Sequence, residues 1–362
     1  MSDARSTKPI TTSVPAEPAL RVPATLDEAL DHAWLSQALA SVGQGAQVTA
    51  VEQVELIKTV ATKVRFKATF DGAAGTQDFC LKGLLDVDEM TKMGGSTCVL
   101  EGDFYLKLAS QLNVQVPEAV AVVTDREAKQ SVLIMRDLIA GGGRFCSALE
   151  AFTVDEAASS VAQIAHLHAG SGLLAKTDWV VPRIASLGRM PHMTAEILQG
   201  LLDGPRGDNL TPAVRNGERL IAGMQALGDK DADRPQFLVH GDAHAGNIFR
   251  TAQGSGLIDW QVLQRAGWAV DVAYHLCAVL PVELAEKEER NLLGHYLDLA
   301  RGHGLTLPDA EEAWLQYREA VMYGYYMWGI TRRVAPDITI QFTDRLGRAV
   351  MRHDSFALLG VA

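Results

Sequence analysis

The stretch HGDAHAGN, residues 240–247, packs two histidines, an aspartate and an asparagine into eight positions, directly after the apolar run Phe237-Leu238-Val239. Three chemistries fit these letters: a metal centre, a catalytic loop, or a polar turn closing a strand. Asp, Asn and Gly dominate turns for local hydrogen-bonding reasons, so the octet alone does not choose. The neighbouring sequence has to.

Asn247 follows Asp242 by five positions, and Ile258-Asp259-Trp260 ends the next β-like run, GLIDW at 256–260. An aspartate base, an asparagine metal ligand five residues on and a second metal-binding aspartate on the following hairpin is the spacing of kinase catalytic centres. The reason is charge. Nucleotide phosphates bring several negative charges, Mg²⁺ neutralises them, and hard oxygen ligands from Asn and Asp suit that ion. Phosphoryl transfer also needs a cation on the nonreacting phosphates, and Lys82 inside the strand-like FCLKGLL is the candidate. A lysine in an apolar strand is costly to bury unless paired, and Glu101 is the carboxylate available to pair it.

The chain of 362 residues exceeds the size of one hydrophobic core, so two lobes are expected. With 48% hydrophobic and 21% charged residues the composition is that of an ordinary globular protein. A formal charge of -11 speaks against nucleic acid and anionic membrane as partners and leaves a small molecule as the substrate. Cys80, Cys98, Cys146 and Cys277 lack CxxC spacing, which indicates reduced thiols and a cytoplasmic protein. No apolar stretch approaches the roughly twenty residues of a membrane helix. Residues 1–24, mixed and Pro-rich, read as a flexible tail.

From Thr25, whose Thr-x-x-Glu pattern is a capping box, one helix is expected to about Ala40. VTAVEQVELI, KVRFKATF and DFCLKGLL then read as antiparallel strands, with DGAAG at 71–75 as a hairpin turn. A helix over Cys98–Leu112 and strands at about 119–124 and 131–136 complete an N-lobe of residues 25–140, and Gly141-Gly142-Gly143 marks the boundary. Residues 141–362 are mostly helical, with FLVH and GLIDW expected to pair as a hairpin around the octet. The fold class is therefore α+β, a small antiparallel β-rich lobe followed by a larger helical one.

LVHGDAHAGNIF, LIDWQ, the downstream Val270-Asp271-Val272-Ala273-Tyr274, Glu101-Gly102-Asp103-Phe104-Tyr105 and the hinge-like Val132–Leu138 occur in one order. Together they resemble the aminoglycoside phosphotransferase and choline kinase superfamily, particularly its ecdysteroid-kinase-like branch, over about residues 30 to 330. The resemblance implies a two-lobed protein-kinase-like fold that transfers the γ-phosphate of ATP to a small-molecule hydroxyl with Mg²⁺. It makes Asp242 the catalytic base, Asn247 and Asp259 the metal ligands, Lys82 the phosphate contact and Glu101 its partner. It puts hinge contacts to the nucleotide at Met135 and Asp137, and makes Asp271 a structural cap of the next helix. Where the family's nucleotide loop has Gly or Ser-Asn, this chain has KTVATK at 58–63, so Thr59, Thr62 and Lys63 stand in as side-chain donors. Arg136 replaces the usual acidic hinge residue.

Other readings remain beside this one. His240 is expected to be a buried scaffold, whereas the role of His244 stays open. His240, Asp242 and His244, with Asp259, His275 or His295, make a transition-metal hydrolase the minor alternative. A nucleotide-binding module without catalysis is another, motivated by the glycine-free loop. Trp314, Tyr317, Tyr323, Tyr325, Tyr326 and Trp328 read as core aromatics, with an acceptor pocket as the competing reading. The acceptor itself is open among aminoglycosides, amino alcohols, sugars and steroid-like alcohols, because fold does not fix it.

Overall fold

A computed structural model describes residues 13–361, which form two compact units, one ending at Gly143 and the other beginning at Arg144. In the first unit, three short helices, α1 (Leu26–Ala29), α2 (His32–Ala38) and α3 (Ala40–Gly43), replace the single helix expected from Thr25 to Ala40. The break is local chemistry. The Glu28 carboxylate accepts from Ala24 N at 2.7 Å, not from Thr25, and Asp31 restarts the helix by accepting from Trp34 N at 2.9 Å.

The expected tail is also corrected in part. Residues 1–12 lie outside the described residues, but Ala16 makes a parallel bridge to Ala121, donating to Val120 O at 3.0 Å and accepting from Val122 N at 2.8 Å. Leu20 and Val22 pack on the core.

The sheet of this unit has the order β1-β2-β3-β5-β4, all antiparallel, from β1 (Val48–Lys58), β2 (Thr62–Phe70), β3 (Thr76–Gly83), β4 (Ala119–Asp125) and β5 (Gln130–Arg136). Strict alternation on β2 explains one face. Val64, Phe66, Ala68 and Phe70 enter the core, where Phe66 meets Phe79, while Lys63, Arg65 and Lys67 take the other side. Between β3 and β4 lie α4 (Glu89–Lys92) and α5 (Ser96–Lys107), and α5 packs on β4 and β5. Gly141, Gly142 and Gly143 donate to Asp137 O, Ile139 O and Leu138 O and so belong to this unit.

The second unit contains β6 (Arg144–Phe145), α6 (Val154–Ala169), α7 (Ile184–Leu187), α8 (Ala195–Leu202), α9 (Gly217–Ala232), β7 (Phe237–Val239), β8 (Ile248–Thr251), β9 (Gly254–Leu257) and β10 (Gln264–Ala266). Helices α10 (Ala269–Val279), α11 (Val282–Gly302), α12 (Ala310–Ile330), α13 (Pro336–His353) and α14 (Ser355–Leu358) complete it. Its strands pair differently from the expected hairpin. β7 pairs with β10, whereas β9 folds back on β8 across the two residues Ala252 and Gln253, and β6 adds to β8. The short turn favours the neighbouring strand over the distant one. Among the described residues no helix is long and apolar enough to cross a membrane.

Helix α10 is buried along all eleven residues. Its sequence AVDVAYHLCAV is apolar nearly all round, which is the signature of a helix inside a domain. The exceptions, Asp271, Tyr274 and His275, stand at i, i+3 and i+4 and therefore share one face. His275 is fully buried between Ala243 O, 2.6 Å from its Nδ1, and the Ser160 hydroxyl of α6, 2.7 Å from its Nε2.

Burial lowers the pKa of His275 from 6.5 to about 4. Because the unfolded chain takes up this proton first as the pH falls, the stability it contributes is complete above pH 6.5 and is lost progressively toward pH 4. The expected loss is about 2 kcal/mol by pH 5. Urea unfolding at pH 7.5 and pH 5 measures it, and His275→Gln is expected to flatten that part of the curve.

Candidate active site

The octet leaves β7 through a turn that only glycine allows. Gly241 has φ +79°, and a Cβ there would lie 2.6 Å from both Val262 O and Gln264 Nε2. The turn is held from two helices. His240 N and Gly241 N donate to the two oxygens of Asp271 at 2.7 and 2.8 Å, and Gly241 O accepts from the Tyr323 hydroxyl at 2.7 Å.

Asp271 is the third residue of α10, and its carboxylate serves these loop amides, not the amides of its own helix. The expectation that it caps that helix is corrected accordingly. Burial pushes its carboxyl up, but the contact with His168, 3.3 Å away, and the loop amides reverse this, so it lies below its ordinary value.

His240 is the expected scaffold. It is fully buried against Trp260, its Nδ1 accepts from Asp242 N at 3.2 Å, and its Nε2 donates to Ile258 O at 3.0 Å. With both ring nitrogens engaged, it has no lone pair for a metal. His275 is equally committed, so the His-x-Asp-x-His hydrolase reading loses two of its imidazoles. Among the described residues the metal-ligating side chains that do converge are Cys277, Glu289 and His353. There Arg352 already occupies both Glu289 oxygens at 2.8 and 3.1 Å, and its charge serves in place of a metal ion.

Asp242 is partly open, its side chain 25% exposed. Its Oδ1 accepts from the Tyr274 hydroxyl at 3.0 Å and its Oδ2 from Asn247 Nδ2 at 3.2 Å. Asn247 Nδ2 also donates to Asp242 O at 2.8 Å, so the amide's oxygen, Oδ1, is the atom with lone pairs for a ligand. Ile258 N donates to Asn247 O at 3.0 Å, so Asp259 follows directly beside Asn247. Asp259 is left-handed, φ 66° and ψ 70°, an unusual conformation for a residue other than glycine and one that concentrates at functional sites.

His244 has a definite state. Its Nδ1 accepts from Gly246 N at 3.0 Å, so the neutral ring carries its proton on Nε2, 3.7 Å from Asp242 Oδ2. Burial lowers its pKa, although Asp242 and Asp259 oppose this.

In the first unit, Lys82 and Glu101 form the expected pair, with Nζ 2.7 Å from Oε2 and 3.0 Å from Oε1, both side chains nearly inaccessible. Lys63 stands opposite Lys82 across β2 and β3, and Met135 on β5 stands opposite Cys80. The loop donors divide. Lys63 Nζ donates to Thr59 Oγ1 at 3.1 Å and Thr59 Oγ1 to Ala61 O at 3.0 Å, so the turn is closed by its own side chains. Thr62 is buried and donates to Leu85 O at 2.8 Å, which corrects its expected role as a phosphate donor.

The Asp137 side chain is committed within the unit, so a hinge contact at this position falls to its backbone. Its carboxylate accepts from Arg65 Nε at 2.9 Å and from Ile139 N at 2.9 Å, holding the turn that ends the unit.

The C-terminal aromatics are core, as the helical spacing indicated. Tyr317, Tyr323, Tyr325, Tyr326 and Trp328 are buried, and Trp314 stacks on Tyr317. Sequence reasoning missed Tyr274 and His275 as partners of the octet. Their signal was the spacing Asp271, Tyr274, His275 in an otherwise apolar helix.

The fold is similar to that of the choline kinase LicA from Streptococcus pneumoniae, at 14% identity over 88% of this chain and 98% of that one, with a TM-score of 0.50. It is also similar to a choline/ethanolamine kinase family protein from Mesorhizobium loti, at 13% identity over 90% and 98%, with a TM-score of 0.52. No curated protein matches significantly. The ecdysteroid kinase-like family matches residues 58–303, more than half of the chain, a span that takes in Lys82, Glu101, Asp242, Asn247, Asp259 and Asp271. The chain belongs to the ecdysteroid kinase-like family.

Proposed function

We propose that the protein is an ATP- and Mg²⁺-dependent phosphotransferase that moves the γ-phosphate to a hydroxyl of a small molecule. The observation that carries this reading is Asp242, a partly exposed carboxylate with one oxygen held by Tyr274 of α10 and the other by Asn247 of its own loop. The donor set fits magnesium, because the Asn247 Oδ1 and the Asp259 carboxylate are hard oxygens and no thiolate or free imidazole competes with them. When bound, that ion supplies charge neutralisation on the phosphates.

Asp242 orients the acceptor hydroxyl and accepts its proton as the oxygen bonds to the γ-phosphorus and the bond to the β-phosphate oxygen breaks, releasing ADP. Lys82, held by Glu101, contacts the nonreacting phosphates. No covalent enzyme intermediate is involved, so rate comes from positioning and charge. Net charge of -11 favours an amine-bearing alcohol as the acceptor, through long-range attraction of a cation. The competing argument for an apolar acceptor weakens, since five of the six aromatics that motivated it, all but Trp314, are buried.

A nucleotide-binding module without turnover is the second reading. The turn at 58–63, closed on itself by Thr59 and Lys63, is the observation that favours it. ADP release from Mg·ATP, measured alone and with a panel of aminoglycosides, amino alcohols, sugars and sterols, separates the two. No release under any condition would leave the binding module standing.

Asp242→Asn is expected to lower ADP release by about three orders of magnitude while ATP affinity, measured by calorimetry, stays nearly constant. Wild-type turnover in that variant sinks the assignment. Lys82→Met removes the cation that faces the buried Glu101 carboxylate, and is expected to cost about 3 kcal/mol of stability in urea unfolding. The double variant Lys82→Met/Glu101→Leu should regain most of that stability and still release no ADP above background, which separates the structural role of the pair from its catalytic one.

A further inference from the structure

Behind Asp242 lies a directed chain of donors. The Tyr274 hydroxyl is 3.0 Å from Asp242 Oδ1, and the Trp328 indole nitrogen is 2.6 Å from the Tyr274 hydroxyl. The direction follows from chemistry. An indole N–H only donates and an ionised carboxylate only accepts, so the Tyr274 oxygen receives from Trp328 and its single proton points at Asp242. Burial, reinforced by the charge of Asp242, pushes the Tyr274 phenol well above its ordinary value, which keeps that proton in place.

The seat of the ring is built for this contact. Gly324 lies one turn before Trp328 on the same face of α12, and a Cβ there would fall 2.6 Å from Tyr274 Cδ2. Glycine inside a helix costs about 1 kcal/mol relative to alanine, and here it admits the tyrosine ring. Tyr274 is fully buried and Trp328 is 4% exposed, so water does not compete for either bond.

We propose that Tyr274 is a positioning residue for phosphoryl transfer: seated on Gly324 and oriented by the Trp328 indole, its hydroxyl holds the Asp242 carboxylate in the rotamer that receives the acceptor's proton. The proposal rests on the phosphotransferase reading for its consequence, but the donor chain is testable without any activity. The chain has six tryptophans, hence six indole N–H signals in a ¹⁵N-labelled sample, and Trp328→Phe identifies one of them. Asp242→Asn is expected to move that signal in the wild-type background and to leave it in place in Tyr274→Phe. A shift of the same size in both backgrounds, or none in either, overturns the chain.

The kinetic arm uses Mg·ATP hydrolysis with water as the acceptor. Tyr274→Phe, which removes one oxygen and leaves packing intact, is expected to lower kcat roughly ten- to hundredfold with KM for ATP unchanged. Trp328→Phe should lower kcat as well, and the double variant should be no slower than Tyr274→Phe alone, because the indole acts through the hydroxyl. Additive losses, or a loss confined to KM, indicate a packing role and overturn the proposal. If the wild type releases no ADP, or Asp242→Asn matches it, the phosphotransferase reading fails, while the indole signals still decide the donor chain.

Discussion

The buried carboxylate of Asp271 is the constraint on which the second unit depends. It is fully inaccessible, on a helix with no exposed residue, and an ionised group in that position is tolerable only if each oxygen is met by donors. Two of those donors are the backbone amides of His240 and Gly241, and His168 is a third neighbour, itself 2.7 Å from the Tyr296 hydroxyl through Nδ1. Moving the octet away would strip the charge of its amides. The loop is therefore held in shape by the same free energy that allows α10 to be buried, and the geometry of Asp242 follows from it.

The first unit uses charge differently. Lys82 and Glu101 neutralise one another inside the unit, and such a pair adds little net stability against an apolar replacement, although breaking it is costly. A pair that stability alone does not require is consistent with a cation kept for a ligand. Asp137 and Arg65 form a second pair in the same unit, but there the carboxylate also takes turn amides and its work is structural.

Much of this was legible in the sequence, and the limits have a common cause. The alternation in β2 and the spacing of Asp242, Asn247 and Asp259 are periodic or fixed-distance signals, and they survive folding unchanged. The Thr25–Glu28 box, Thr62 and Asp271 were misread because each has a short polar side chain or a carboxylate with several backbone partners within reach, and only three-dimensional competition selects one. The hairpin failed for a related reason. Both candidate partners of β9 are apolar and extended, and the two-residue turn that decides in favour of β8 is an inconspicuous Ala-Gln. Asp271, Tyr274 and His275 were readable as one polar face on an apolar helix, but what that face meets is a long-range contact with no sequence signature.

The same logic changes the meaning of the aromatic residues near the C-terminus. Tyr323, Tyr325 and Tyr326 are buried, and their hydroxyls point at specific backbone groups: Tyr323 to Gly241 O, Tyr325 to Val214 O at 3.0 Å, Tyr326 to Leu187 O at 2.7 Å. An aromatic that carries a hydroxyl into a core must find it a partner, and α12 does so at each of these positions. The helix thus works as a rack that fixes carbonyls of the loop and its surroundings, which is a different task from lining a pocket. Under the proposed reaction, Asp242 is supported from this buried layer and not from the surface that recognises the acceptor. On that reading, substitutions on the acceptor's surface alter the acceptor without loosening Asp242, a physical reason for one loop to serve many alcohols.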